Sequence, residues 1–100
     1  MNQSSILERR RKLPTTPPRI DSVTPTRGPR WGGGEVTIDG ANFLPGLSIK
    51  IGGSYLSNVK VVSSTRITAT TVRTSAGAYD LLVRNPGQME AALGRGYRYE

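Results

Sequence analysis

The chain has 100 residues, a net charge of +7 and neither cysteine nor histidine. That length suffices for one domain with one core. Without cysteine there is no disulfide framework and no thiolate site, and without histidine the usual general base, the commonest metal ligand and the switch near neutral pH are all missing. The apolar runs are far too short for a membrane span, and only Ile6-Leu7 precedes the first charges. No secretion signal is recognised, so a soluble protein made in a cytoplasm, with no membrane partner, is the expectation.

Residues 1–18 read as a basic, proline-containing arm and residues 19–100 as the domain. Within the first 20 residues Arg9, Arg10, Arg11, Lys12 and Arg19 are opposed by Glu8 alone, so the excess charge is concentrated at one end. Ser5-Ile6-Leu7-Glu8 has the form of a capping box that would start a short helix through Lys12, too short to be stable alone. Pro14, Pro17 and Pro18 impose extended geometry up to the first strand. Ile6, Leu7 and Leu13 are interleaved with Arg9, Arg10, Arg11 and Lys12, a pattern suited to an acidic protein groove with apolar pockets. The alternative is a phosphate clamp on nucleic acid, acting through counterion release. No aromatic residue in the arm could stack bases.

The rest of the chain predicts an all-β fold of about seven strands, near 19–24, 34–40, 47–52, 55–62, 66–71, 78–85 and 89–99. Pro25, Gly28, Pro29 and the Gly32-Gly33-Gly34 run end the first strand and turn the chain. Val36 and Ile38 alternate with Thr37 and Asp39, as expected of a strand buried on one face, and Phe43 returns a ring to the interior after Gly40. Ile49 and Ile51, Val59 and Val61, Ile67 and Ala69, and Tyr79, Leu81 and Val83 are the expected inward sets. Asn85-Pro86-Gly87-Gln88 has the residue order of a type II turn joining the last two strands as a hairpin.

Val23-x-Pro25, Gly28-Pro29, Gly32-Gly33, Val36-Thr37-Ile38-x-Gly40 and Asn42-Phe43 resemble the opening half of the IPT/TIG family of immunoglobulin-like domains. Val61 to Ala69, Gly77 to Leu81 and Asn85-Pro86-Gly87 continue that pattern in order, so the resemblance covers roughly residues 19 to 99. It implies a small immunoglobulin-like β-sandwich. It implies no single function, because the fold serves many and function resides in sites. Similar domains occur as modules in transcription factors, where they often dimerise, and in cell-surface receptors, extracellular bacterial proteins and starch-acting enzymes.

Three residues of the domain stand out as candidate partner contacts. Arg30 and Trp31 lie in the glycine-rich turn, where the family usually has a small polar residue in place of the tryptophan. Trp31 either lids the core or forms an interface anchor beside Arg30. Leu82 falls on the outward side of its strand; with Leu56 or Val62 beside it, it would form a subunit contact in a homo-oligomer. Tyr79 is a candidate tyrosine corner, and Tyr97 with Tyr99 share one face of the last strand as packing residues.

Asp21, Asp39, Asp80 and Glu90 are scattered without calcium-loop spacing, and the glycine run precedes a strand, so it is no phosphate loop. No catalytic pair, cofactor, metal or small-molecule substrate is expected. A small chain of this plan, an arm followed by one immunoglobulin-like domain, looks like an accessory protein of bacteriophage particles. The leading expectation is therefore a capsid decoration or other virion protein, located in the virion and anchored through its arm to a capsid subunit. A nucleic-acid-associated binding protein is the alternative, and a carbohydrate-binding or adhesion module is the third reading.

Overall fold

The structure is a computed structural model that describes residues 17–87 and 89–100. The arm candidates Ile6, Leu7, Arg9, Arg10, Arg11, Lys12 and Leu13 lie outside the described residues.

Alternation along the strands sorts the side chains into one core between two sheets. The strands are β1 (Arg19–Thr24), β2 (Arg27–Gly28), β3 (Glu35–Ala41), β4 (Ser48–Ile51), β5 (Ser54–Tyr55), β6 (Ser57–Ser63), β7 (Arg66–Thr70), β8 (Gly77–Arg84) and β9 (Glu90–Tyr99). One sheet has the order β1-β3-β7-β6 and the other β2-β9-β8-β4-β5. All pairings are antiparallel except that of β2 with the end of β9, where Arg27 lies opposite Arg98 and Gly28 opposite Tyr99. Two sheets with these neighbours form an immunoglobulin-like sandwich.

The inward sets meet as expected. Val23, Val36, Ile38, Ile67 and Ala69 from one sheet pack against Ile49, Ile51, Leu81, Val83, Tyr97 and Tyr99 from the other, with Phe43, Leu47 and Leu56 closing the seam. Val59, Val61 and Tyr79 are only partly buried, at the margin of this cluster. Val59 and Val61 belong to β6, an edge strand whose register slips twice against β7 and which carries Asn58 at φ +52°. Such irregularity turns an edge away from further pairing and leaves its side chains less enclosed.

Two sequence boundaries differ from expectation for a common reason. The single strand expected over 55–62 is two: Ser54–Tyr55 pairs with β4, while Ser57–Ser63 belongs to the opposite sheet. The chain changes sheets at Leu56, whose side chain is buried between the layers and whose amide donates to the Ile49 carbonyl at 2.9 Å. A second change of sheet separates β1 from the short β2, across the cis Thr24-Pro25 bond. Both crossings occupy so few residues that period-2 patterning cannot register them.

Candidate functional site

The loops gather at two ends of the sandwich, and the candidates Arg30 and Trp31 stand at the end formed by residues 29–34, 52–53 and 71–76. A turn from Pro29 to Gly32 is closed by the Gly32 amide donating to the Pro29 carbonyl at 3.1 Å. It is fastened to its surroundings on both sides. The Arg30 amide donates to the Glu100 carbonyl at 2.9 Å, Gly33 N donates to Thr71 O at 2.8 Å, Thr71 N to Gly34 O at 2.8 Å, and Thr74 N to Arg30 O at 2.9 Å. The buried Thr71 hydroxyl adds an acceptor for Gly34 N at 3.0 Å. Gly32 has φ +83°, and a Cβ there would stand 2.7 Å from backbone atoms of Val72 and Arg73, so only glycine lets the two loops approach this closely.

Trp31 projects from that fastened turn with 65% of its surface exposed. It is not a lid on the core. The guanidinium of Arg30 lies over the indole at 5.3 Å from the ring centroid, and that of Arg73 at 5.5 Å. The negative face of the ring attracts both cations, at about 0.5–1 kcal/mol each where solvent is near. Between this cluster and the 52–53 turn runs an open cleft of about 700 Å³, lined further by Ser54, Thr74, Ser75 and Ala76. Among the described residues no carboxylate lines it.

Arg73 is the functional candidate that the sequence did not disclose. It sits in a stretch that reads only as a loop, and its place beside Trp31 follows from the long-range bonds between residues 30–34 and 71–74. Tyr79 forms the back wall of the cleft, and its hydroxyl donates to the Ser75 carbonyl at 2.9 Å, four residues upstream. That is the tyrosine-corner arrangement expected at this position. Tyr99 packs edge-on against both Tyr79 and Tyr97, with centroids at 5.9 and 5.1 Å. The hydroxyls of Tyr97 and Tyr99 are enclosed and have no hydrogen-bond partner among the described residues. Burial is the main cause that pushes both phenols above their ordinary pKa, and the neighbouring Tyr99 and Glu100 add to it for Tyr97.

Leu82 lies elsewhere, on the outer face of the five-stranded sheet. Register places it between Lys50 of β4 and Ala92 of β9, in a row that continues to Tyr55. The Lys50 ammonium stands 5.1 Å from the Tyr55 ring centroid. Leu82 is half-buried, and the apolar patch with Leu56 or Val62 is not formed, because Leu56 is inside the core and Val62 points to solvent from the other sheet. The structure therefore does not join Leu82 to Arg30 and Trp31.

What this arrangement offers is an exposed, cationic, aromatic cluster on a hydrogen-bonded turn. Among the described residues no group of three or more acidic, histidine or cysteine side chains could hold a metal ion. Fold and site together define an immunoglobulin-like module. The family profile of the IPT/TIG domain matches residues 18–99, and the chain belongs to that family. Protein MGA2 of Saccharomyces cerevisiae is 44% identical to it over 50 residues, a match that spans 50% of this chain and 4% of that protein. Among solved structures, the plexin A4 full extracellular region has a TM-score of 0.74, with 19% identity over 85% of this chain and 9% of that one. At that identity the likeness is one of fold. The chain thus corresponds to a small part of each of these larger relatives.

Proposed function

We propose that this domain is a non-enzymatic docking module that binds a protein partner through the Arg30–Trp31–Arg73 end of its sandwich. The observation that carries the reading is an exposed tryptophan on a turn fastened by backbone hydrogen bonds. Exposure of so large an apolar ring loses the benefit of burial, and the turn bonds already restrict its backbone before any partner arrives. Tryptophan and arginine are the residues on which interface energy concentrates. The test is co-purification from the native source of the wild-type chain and Trp31→Ala. A partner retained by the first and lost by the second, with the variant still cooperatively folded, supports the reading; equal partner yields end it.

A narrower reading places that partner in a bacteriophage shell and the protein in the virion, with Arg9, Arg10, Arg11 and Lys12 as the anchoring charges. Its support is the basic arm, and the relatives named above add none. Deleting residues 1–16 tests it. Release from purified particles supports virion attachment, loss of salt-sensitive DNA binding favours the phosphate clamp instead, and unaltered particle attachment removes the arm from the account.

A further inference from the structure

Building on that docking reading, we propose that the cleft beside Trp31 takes an extended acidic segment of the partner protein, with its carboxylates on Arg30 and Arg73. Charge complementarity identifies the occupant. Three of the domain's arginines meet an acid of their own chain: Arg19 with Asp21 at 2.8 Å, Arg66 with Asp39 at 2.8 Å and Arg27 with Glu100 at 3.7 Å. Arg30 and Arg73 have no such partner among the described residues, yet both converge on one ring. The nearby acids are committed elsewhere. Glu100 receives Arg30 through its backbone carbonyl and turns its carboxylate to Arg27, and Asp80 accepts the Arg95 amide at 2.9 Å.

Two like charges drawn to one aromatic ring leave a site whose missing component is negative. A carboxylate can accept two parallel bonds from a guanidinium without lifting it off the indole, which favours an acidic side chain. A nucleic-acid base would have to stack on the same ring and displace a guanidinium already over it. The cleft volume of about 700 Å³ lies within the roughly 300–1,000 Å³ range of functional pockets. The hydroxyl-bearing residues Ser54, Thr74 and Ser75 along it offer polar contacts to a passing peptide backbone.

Trp31 is the one tryptophan of the chain, so its emission reports on this cleft alone. The experiment titrates the full chain with a peptide of alternating glutamate and leucine, a lysine-leucine peptide of equal length, and single-stranded oligothymidylate. The acidic peptide alone should change Trp31 emission saturably. Arg30→Ala/Arg73→Ala should bind it at least about tenfold more weakly, and Arg84→Ala, on the other sheet face, should bind it as the wild type does. Added salt should weaken the wild-type complex. Equal response to both peptides, a response to oligothymidylate alone, or unchanged affinity in the folded double variant overturns the proposal. If the acidic peptide fails while Trp31→Ala still loses its native partner, the acidic segment is wrong and docking stands; if Trp31→Ala keeps that partner, docking itself falls.

Discussion

The two ends of the sandwich treat their polar and aromatic residues in opposite ways. At the end formed by residues 42–47, 64–65, 85–87 and 89, the aromatic Phe43 is buried and the polar Asn85 is only 3% exposed. Asn85 is fully used there: its Oδ1 accepts the Leu44 amide at 3.1 Å and its Nδ2 donates to the Asn42 carbonyl at 2.7 Å. Phe43 N donates to Ser64 O and Gly40 N to Thr65 O, each at 2.9 Å. At the other end the aromatic Trp31 faces out, two arginines face out with it, and the enclosed Tyr97 and Tyr99 hydroxyls lack partners among the described residues. One end is constructed to close the core; the other presents side chains to solvent at some cost to the core beneath it.

The largest expected effect lies at the closed end. Asn85→Ala removes a buried side chain together with its two part-buried hydrogen bonds to the 42–44 loop, and should destabilise the domain by about 2 kcal/mol in urea unfolding. A contrast of sign comes next. Tyr79→Phe removes a made hydrogen bond and should lose about 1 kcal/mol, whereas Tyr97→Phe removes an unmade one and should gain about 1 kcal/mol. Both are read from the same denaturation curves, and a loss in both would mean that the Tyr97 hydroxyl has a partner.

Alkaline pH probes the presenting end through the same rings. Burial raises the Tyr97 and Tyr99 pKa, so above pH ~10 the folded state holds more protons than the unfolded chain. Their contribution to stability is therefore full below that pH and is lost as pH rises through the folded-state pKa values. Melting curves from neutral pH upward should show this as a decline beginning above pH ~10, and Tyr97→Phe should make the decline shallower.

The closed end was legible in the sequence because local patterns encode it. Gly40, Asn42 and Phe43 announce a corner followed by a buried ring, and Asn85-Pro86-Gly87 a turn, with Gly87 at φ +91° and Asn85 N bonded to Met89 O. The burial of the Asn85 side chain was not legible, since its partners are about forty residues away in sequence. The long strands followed from alternation, and the resemblance supplied their arrangement. At the presenting end, Arg30 and Trp31 stood out by composition, but whether the ring pointed in or out depended on contacts with residues 71–74. Arg73 could be found only once those loops were paired. Leu82 was read correctly as outward, yet its neighbours are Lys50 and Ala92 because cross-strand register, not strand pattern, assigns them.

The outward placement of Trp31 is the claim on which the account turns, and equilibrium unfolding of Trp31→Ala, followed by far-ultraviolet circular dichroism, tests it most directly. A loss of no more than about 1–2 kcal/mol, the worth of the two cation–π contacts, is expected of an outward-facing ring. A loss of about 3 kcal/mol or more would make Trp31 part of the core and contradict the docking surface built around it.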